Sequence, residues 1–451
     1  MTSIVWFRQD LRLADQAALC AAVAEGPVIP VYVLDDEGPG DWRIGGAQRW
    51  WLHHGLEQLD TALRGLGSRL ILRRGKAVDE IARLAREGGI ERVHAIRHYE
   101  PWWMAAEAQL ADRFDLRLHD GNQLAPPESI ATGAGGRYKI FSAFWGALRM
   151  HMPPPAPLAA PKAIVAPDIW PRSEKLADWG LRPTSPDWAT GFSDWTPGEA
   201  GAQAALADFV AEAGDYIQRR DLPAVEGTSR LSPHLHFGEI SPATVWHRLG
   251  RHAEFLRELA WRDFATGTVM ASPDYAMRNG RPAFDRLTWR TGRAADDDFR
   301  AWTRGLTGYP IVDAGMRQLW ATGWMHNRVR MITASFLVKH LLIDWRRGER
   351  WFWDTLLDAD LGNNAVNWQW VAGTGTDSNM FGRIMAPLVQ SAKFDAGDYI
   401  REWVPQLRHL DDDVIHDPES AGISLEDYPA KIVGHREGRE RALAAAAKMR
   451  G

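Results

Sequence analysis

The sequence predicts an α/β amino-terminal domain, built on a doubly wound parallel sheet of five strands, and an all-helical carboxyl-terminal domain. Two patterns support this fold class. Five short apolar runs recur within the first 121 residues and alternate with Ala- and Leu-rich stretches whose apolar spacing suits helices. After about residue 200, long stretches of helical spacing follow one another instead. We therefore expect domains at residues 1–125 and 200–451, joined by a connector at 126–199.

The five predicted strands are SIVWF, VIPVYVL, RLILRRG, RVHAIRHY and LRLHDG, which start at residues 3, 28, 69, 92 and 116. Helices between them would cover both faces of the sheet, and such a sheet binds ligands at the carboxyl ends of its strands. The first strand leads into WFRQDLRLAD, however, and not into the G-x-G-x-x-G turn of a dinucleotide site. The first domain therefore carries no standard dinucleotide fingerprint, and a purely scaffolding role stays open.

The connector and the helical part follow from composition and spacing. Nine prolines lie between Pro153 and Pro186, a density typical of a long and partly extended connector. The predicted helices beyond it include GAQAALADFVAEAGDYI, HAEFLRELAWRDFATGTVM and MITASFLVKHLLIDW. These stretches predict a second domain made of helices alone.

Composition narrows the class of protein. An apolar fraction of 45% with 25% charged residues is typical of globular chains, and 451 residues exceed what one core usually serves. The single cysteine, Cys20, cannot form an internal disulfide or a four-cysteine metal site, so we expect no metal centre. The first residues lack a long apolar h-region and no run reaches membrane-spanning length, which favours a cytoplasmic protein without membrane contact.

The distribution of charge and the aromatic content are compatible with an anionic or planar binding partner. The net charge is −5, but residues 321–350 carry six basic and two acidic side chains. Most of the 23 tryptophans are expected in the core. Others are candidates to stack planar ligands or to relay electrons.

Two predicted helices place polar groups beside an apolar or aromatic side chain. Glu258, Trp261 and Arg262 share a helical face by i, i+3, i+4 spacing, and Asn327 and Met331 share another. Such groups suit an uncharged, flat, hydrogen-bonding ligand. The alternative is an i, i+4 surface ion pair between Glu258 and Arg262, which is commoner and is worth only about a few tenths of a kcal/mol.

The segment EGTSRLSPHLHFGEISP suits phosphate groups. Thr228, Ser229 and Ser232 come just before a probable helix, where hydroxyls and free backbone N–H groups can meet phosphate oxygens. Ordinary N-capping of that helix is the alternative.

Residues 358–370, DADLGNNAVNWQW, combine two carboxylates, three asparagines and two tryptophans. A helix would point Asp358 and Asp360 in different directions, and the glycine and asparagines favour an irregular loop. A loop rich in acceptors and amide donors suits a heteroaromatic ring that bears N–H and C=O groups. Buried acids require partners, and Arg330 is a candidate.

Together these motifs resemble the photolyase and cryptochrome family of flavoproteins. The resemblance runs from WFRQDLRLAD at residue 6 to YIREWVPQL, which ends at Leu407. Its most specific stretches are VEGTSRLSPHLHFGEISP, FLRELAWRDF, TGYPIVDAGMRQLWATGWMHNRVRM and DADLGNNAVNWQWVAGTGTDS. The resemblance implies an amino-terminal α/β domain and a helical domain that binds FAD in a U shape, reached by a hole in a basic surface.

The resemblance also implies a set of cofactor residues. Asp358 and Asp360 would line the isoalloxazine and ribityl region, with Arg330 paired to Asp358. Asn364 would face flavin N5 and favour the reduced flavin. The FAD phosphates and the neighbouring backbone would be held by Tyr216, Thr228, Ser229, Arg230, Leu231 and Ser232.

For the substrate, the resemblance implies a cavity that receives a pyrimidine dimer flipped out of damaged DNA. Its lining would consist of Glu258, Trp261, Arg262, Asn327, Arg328, Met331 and Trp370. Glu258, Asn327 and Met331 would be catalytic together with Asn364. Glu258 would hydrogen-bond the thymine edge as a protonated or donor-sharing carboxyl in a dry pocket, and Arg328 would hold phosphates. Light-excited FADH⁻ would lend the dimer an electron, and the cyclobutane ring would open.

The resemblance implies an electron route and an antenna as well. Trp368, Trp345 and Trp289 match the tryptophan chain that reduces oxidised flavin, although core packing is the alternative for Trp345. Trp102 and Trp103, with Glu100 before them, resemble the folate-stacking residues of class III photolyases. The expected antenna is 5,10-methenyltetrahydrofolate, and an amphipathic helix that simply buries two indoles is the alternative.

Subtype residues favour repair of cyclobutane dimers. Asn327 and Met331 stand where (6-4) photolyases use a histidine pair, and Asn364 stands where plant-type cryptochromes usually carry an acid. The lack of further cysteines excludes the iron-sulfur branch. We expect a monomer that repairs damaged DNA. The alternative is a cryptochrome-like blue-light photoreceptor without repair activity.

Overall fold

The amino-terminal part of the chain forms one parallel sheet. In the computed structural model, which describes residues 1–378 and 381–450, the strands are β1 (Ser3–Phe7), β2 (Val28–Leu34), β3 (Ile71–Arg74), β4 (Arg92–Ile96) and β5 (Asp115–His119). Their order is β3-β2-β1-β4-β5, and every neighbouring pair is parallel. The predicted five-stranded parallel sheet is confirmed.

Helices cover both faces of the sheet, namely α1 (Ala17–Glu25), α2 (Gly46–Gly65), α3 (Ala77–Gly88) and α4 (Pro101–Ala111). Alternate residues of a strand point to opposite faces. Val5 and Phe7 therefore pack with α1 and α2, whereas Ile4 and Trp6 pack with α3 and α4. Because both faces are covered, the central strands β1 and β2 are almost continuously apolar, which is why they stand out in the sequence.

Arg8 occupies the place where a doubly wound sheet would bind a dinucleotide, between the carboxyl ends of β1 and β4. Its guanidinium donates to the Glu107 carboxylate of α4 over 2.7 Å and to the carbonyl of Ile96 at the end of β4. Arg8 is only 2% exposed. The WFRQDLRLAD segment thus supplies internal ties at a position where other folds have a Gly-rich turn.

The rest of the described chain contains helices and turns but no strand. The helices are α5 (Phe141–Leu148), α6 (Glu199–Glu212), α7 (Tyr216–Arg219), α8 (Ser232–His236), α9 (Pro242–Leu249), α10 (Ala253–Ala271), α11 (Arg293–Thr303), α12 (Pro310–Thr322), α13 (Asn327–Ser335), α14 (Trp345–Thr355), α15 (Leu361–Ala372), α16 (Pro387–Lys393), α17 (Gly397–Trp403), α18 (Asp412–Ile415) and α19 (His435–Arg450). The predicted all-helical carboxyl-terminal part is confirmed. Among the described helices, none is long and apolar enough to cross a bilayer.

The predicted irregular loop at residues 358–370 was wrong, because most of it is helix α15. Asp360 is the N-cap of that helix, and its carboxylate accepts a hydrogen bond from the N–H of Asn363 over 2.7 Å. Asp358 precedes the helix, so the two acids do not lie on one helix and the argument from helical spacing does not apply to them. The asparagines that favoured a loop are helical because the apolar residues between them, such as Val366, pack into the core.

The connector between the two domains is packed rather than free. Trp179, Phe192 and Trp195 are buried against the helices of the sheet. Further along the chain, Asp263 of α10 accepts a hydrogen bond from the N–H of Leu124 over 2.7 Å, which fixes the end of the α/β part on the helical part. We propose the domain division at residues 1–125, 126–199 and 200–451.

Candidate cofactor and substrate site

Two adjoining cavities of about 360 and 310 Å³, here the first and the second cavity, lie among the helices of the carboxyl-terminal part. Their walls have several residues in common, which makes them one branched cleft. The shared residues include Glu258, Trp261, Asn327, Arg330, Asp358 and Asp360. The structure thus brings together side chains from α10, α13 and the segment before α15.

Most predicted site residues line this cleft. The first cavity also contains the predicted Arg328, Met331, Asn364, Trp368 and Trp370. The second cavity also contains Tyr216, Thr228, Ser229, Arg230, Leu231, Ser232 and Arg262. Residues predicted for the flavin and residues predicted for the lesion therefore share one cleft, with Arg262 on the flavin side of it.

Glu258 lies in an ion pair that the sequence did not predict. Its Oε1 accepts a hydrogen bond from Nη1 of Arg220 over 2.8 Å, and its side chain is 33% exposed. Burial tends to lower the pKa of Arg220, but the hydrogen bond and charge of Glu258, with smaller contributions from Tyr216 and Asp221, together outweigh it and raise the pKa. The environment differs from the predicted dry pocket, because the carboxylate already has a cationic partner at the mouth of the cleft.

Arg328 is also paired. Its Nη2 donates to the carboxylate of Asp221 over 2.8 Å, and its guanidinium lies 4.6 Å from the centre of the Phe394 ring. Arg346 of the 321–350 segment pairs with Asp344 in the same way. Lys339 is fully buried and donates to the carbonyl of Ala372, so it adds no charge to the surface. The predicted excess of positive charge in this segment is therefore weaker at the surface than the sequence indicated.

Asp358 and Arg330 form a bidentate ion pair. The two guanidinium nitrogens of Arg330 donate to the two carboxylate oxygens of Asp358 over 3.0 and 2.8 Å. Burial would raise the pKa of Asp358, but the charge and hydrogen bonds of Arg330, with a hydrogen bond from Ser232, outweigh it and leave the pKa below its ordinary value. The predicted pairing of these two residues is confirmed.

Asn364 lines the first cavity with a fixed amide. Its Nδ2 donates to the backbone carbonyl of Glu349 in α14 over 3.1 Å. One N–H of the amide is used in this way, so Asn364 can offer a ligand its amide oxygen and its second N–H. Asn364 is 8% exposed, so packing and this hydrogen bond hold it in place.

The second cavity contains donors that suit an anionic, acceptor-rich ligand. Within the described residues, Nη1 of Arg262 and Nε of Arg230 are buried without a hydrogen-bond partner. Thr228 and Ser229 line the same cavity. A buried donor without a partner destabilises a protein by about 1–3 kcal/mol. The phosphates and carbonyl groups of FAD would satisfy such donors, so the residues present fit this cofactor.

The three predicted electron-route tryptophans lie in different surroundings. Trp368 lines the first cavity and packs edge-on against Phe352 and Trp302, with ring centres 5.0 and 6.3 Å away. Trp345 is fully buried, and its indole N–H donates to Asn279 over 3.0 Å. Trp289 is partly buried against the core. Trp302, in direct contact with Trp368, was missing from the prediction.

A third cavity, of about 40 Å³, lies at the carboxyl ends of β1 and β2 and is lined by Trp102 and Trp103. Trp103 packs edge-on against Trp6, with ring centres 5.6 Å apart. Glu100 lies close to Asp360 instead, and burial together with that carboxylate raises the pKa of Glu100 to about 7. A folate would need the lining side chains to move, because this cavity is much smaller than the other two.

Sequence reasoning missed several residues that shape the cleft. Arg220 and Asp221 pair with predicted site residues, and Phe141 stacks flat on Trp261 with ring centres 3.7 Å apart. His236 lines the second cavity. None of these residues stands at a helical spacing from its partner, so periodicity gave no signal for them.

Two protein-family models match the chain. The family described as DNA photolyase matches residues 3–162, and the family described as the FAD binding domain of DNA photolyase matches residues 255–448. The first match covers the sheet and its helices, and the second covers α10 to α19.

Individual proteins match over nearly the whole chain. A deoxyribodipyrimidine photo-lyase of Agrobacterium fabrum is 49% identical and is aligned over 99% of this chain and 98% of its own length. Cryptochrome-1 of Arabidopsis thaliana is 36% identical over 99% of this chain and 70% of its own length. The crystal structure of a bacterial class III photolyase from Agrobacterium tumefaciens superposes with a TM-score of 0.94 at 48% identity, covering 100% of this chain and 98% of that one.

The fold, the cleft and these matches agree on the class of protein: the chain belongs to the photolyase and cryptochrome family of flavoproteins. Its helical part is a FAD-binding domain of the photolyase type, as the sequence motifs predicted.

Proposed function

We propose that this protein repairs cyclobutane pyrimidine dimers in DNA with light, as a class III photolyase. One observation carries the proposal: the side chains predicted for the flavin and those predicted for the lesion line a single branched cleft. The 49% identity to a deoxyribodipyrimidine photo-lyase supports it. Bound FADH⁻ would supply the light-driven electron.

The side chains of this protein would bind and orient the cofactor and the substrate. Asp358 and Arg330 would present a fixed ion pair to the cofactor, and the amide oxygen of Asn364 would accept a hydrogen bond from it. Trp261 and Trp370 would form apolar walls for the flipped bases. Because the walls and the ion pair are held by helices, little reorganisation would be needed on binding.

Glu258 would receive the lesion as an acceptor held by Arg220. In this role the carboxylate accepts the N–H of a thymine ring, which the ion pair leaves possible because only Oε1 is bonded to Arg220. Asn327 and Met331 would complete the pocket around the same base pair.

DNA binding would require a phosphate to replace the protein carboxylate that pairs with Arg328. Arg328 can hold a phosphate only if the phosphate competes with Asp221, which is 2.8 Å away. We expect affinity for damaged DNA to fall as salt concentration rises. The slope of log affinity against log salt concentration should be proportional to the number of phosphates contacted. Titrations at several salt concentrations would give that number.

Four further assignments belong to the same proposal. Trp368, Trp345 and Trp289 would carry electrons to oxidised flavin, and Trp102 and Trp103 would border a methenyltetrahydrofolate antenna. We also propose that the protein acts as a monomer in the cytoplasm. Extraction of the chromophores, absorbance spectra and light scattering of the purified protein test the antenna and the oligomeric state.

The experiment is a repair assay on purified, reduced protein. Light should remove thymine dimers from an oligonucleotide, whereas the same mixture in the dark should not. Glu258→Ala should bind dimer about tenfold more weakly, the value of one hydrogen bond to a charged group, and should keep FAD. Glu254→Ala is the matched control, since Glu254 lies one turn earlier and its carboxylate is 3.7 Å from Arg220. Loss of FAD from Glu258→Ala would contradict its place on the substrate side.

The identity to Cryptochrome-1 favours one alternative, a blue-light photoreceptor that binds FAD but does not repair. The same assay separates the two functions. A photoreceptor would retain flavin and respond to light without any loss of dimers.

A further inference from the structure

His236, the last residue of α8, is a buried histidine at the boundary between the second cavity and the amino-terminal domain. It is 6% exposed. One ring nitrogen meets residues of the amino-terminal domain, and the other has no protein partner. The two nitrogens therefore have different surroundings, and these surroundings determine which nitrogen carries the proton.

The protein fixes the tautomer of His236 through Gln48 of α2. The amide nitrogen of Gln48 donates to the carbonyl of Trp353 over 3.1 Å, so its Oε1 is the atom that faces His236. This oxygen is 3.1 Å from Nε2 of His236 and can only accept. The amide nitrogen of Gln9 is farther from Nε2, at 3.5 Å. Nε2 therefore carries the proton.

The imidazole is neutral, which leaves Nδ1 as a free acceptor. Burial lowers the pKa of His236, and this outweighs the attraction of the carboxylates of Asp360 and Asp358 that face it; Arg262, also facing it, acts in the same direction as burial. Within the described residues, Nδ1 is buried and has no hydrogen-bond partner. An acceptor left unpaired at a cavity wall is destabilising unless a ligand or water satisfies it.

We propose that Nδ1 of His236 accepts a hydrogen bond from an O–H or N–H group of the bound flavin nucleotide, and that Gln48 of the amino-terminal domain sets the required tautomer. The inference rests on the proposed function, because it takes the second cavity as the flavin site. Asp360 and Asp358, predicted for the isoalloxazine and ribityl region, are the carboxylates whose charges act on this imidazole. The donor would thus be a ribityl hydroxyl or a ring N–H. The amino-terminal domain would then contribute to cofactor binding through His236.

The test measures release of FAD from purified holoenzyme by following the free flavin that passes a filter over time. His236→Phe keeps the ring but removes the acceptor, and release should become about tenfold faster. His236→Asn should recover part of the loss, because its side-chain oxygen reaches about the position of Nδ1. His234→Asn alters a buried histidine of the same helix that pairs with Glu239 and does not line the cavity, and it should release FAD as the wild type does.

A second readout is independent of stability. In the holoenzyme, the ¹⁵N chemical shift of Nδ1 of His236 should be that of an unprotonated nitrogen that accepts a hydrogen bond. A protonated Nδ1, or His236→Phe that releases FAD at the wild-type rate, would overturn the inference. Equal acceleration in His234→Asn and His236→Phe would overturn it too, since packing of α8 would then explain the effect. Wild-type protein that never retains FAD would instead overturn the proposed function.

Discussion

At the scale of single residues, several charged side chains that line the cleft form ion pairs within the protein. Asp358 is nearly buried, and a buried carboxylate is tolerated only when it is paired and hydrogen-bonded. The planar guanidinium of Arg330 meets both requirements, because it supplies the opposite charge and donates two hydrogen bonds. The pair was predictable from sequence because an acid in a cofactor motif needs a cation. The pairs of Arg220 and Arg328 were not, because their partners come from other elements.

Arg330→Gln should release FAD and lower stability. It leaves the carboxylate of Asp358 buried without its cation, which costs about 3–5 kcal/mol for buried pairs. The double variant Arg330→Gln/Asp358→Asn replaces the pair by two neutral amides and should recover most of the stability. Denaturant unfolding with flavin absorbance measures both. Equal stability of the single variant and the wild type would show that the pair is not needed.

Asp263 gives a pH dependence whose sign follows from burial. Burial raises the pKa of Asp263 from 3.8 to about 7. Between these values the folded protein holds a proton that the unfolded chain has lost, so this group makes stability fall as pH rises from about 4 to about 7. The contribution is fully present below about pH 4, and its loss is complete above about pH 7.

Asp263→Asn should remove that slope. Asparagine can still accept the hydrogen bond from Leu124. The difference in unfolding free energy between variant and wild type should therefore grow in favour of the variant from pH 5 to pH 7.5, by up to a few kcal/mol. Thermal unfolding at several pH values measures it, with the exposed Asp208→Asn as control. A difference that does not change with pH would contradict the assignment.

At the scale of elements, helix α5 of the connector supports one wall of the substrate cavity. Phe141 at its start is 2% exposed and lies flat against Trp261, with ring planes 6° apart. The N–H of Phe141 donates to Asp377, seven residues beyond Trp370 along the chain, over 2.9 Å. The connector thus touches segments that carry both tryptophan walls.

Phe141→Ala should weaken dimer binding but not FAD binding. Trp261 would lose the ring that holds its far face, and an aromatic pair is worth about 0.5–1.5 kcal/mol beyond burial. We expect up to about a tenfold loss of affinity for dimer-containing DNA. Phe144→Ala removes a similar ring from the same helix, one that packs on Phe264 and not on Trp261. If both variants bind the dimer equally well, the stack has no part in recognition.

Elements were predicted well where one physical signal dominated. The strands were evident because both faces of the sheet are covered, and helix α10 was evident from its spacing. Residues 358–370 were assigned to a loop because asparagine and glycine weaken helices in isolation, whereas tertiary packing of Leu361 and Val366 decides the outcome in the folded chain. Phe141 could not be placed against Trp261 from sequence, since no local pattern relates a connector residue to α10.

At the scale of the whole molecule, the two domains share polar ties rather than only an apolar interface. Arg12 of the amino-terminal domain donates to the carbonyl of Gly238 over 2.9 Å, and Trp51 donates to Glu239 over 2.9 Å. These ties lie next to His236, so the sheet domain supports the same short helix that borders the cofactor cleft. The fold class could be predicted from periodicity. These contacts could not, because each joins residues far apart in sequence.

The central claim is that one cleft holds both the flavin and the flipped lesion in contact. The most direct measurement is the fluorescence lifetime of the reduced flavin bound to the protein, recorded with an oligonucleotide that contains one thymine dimer and with the same oligonucleotide undamaged. We expect the dimer to shorten the lifetime, because an electron leaves the excited flavin, and undamaged DNA to leave it unchanged. A lifetime unaffected by the dimer, at concentrations where the damaged oligonucleotide is bound, would contradict the account.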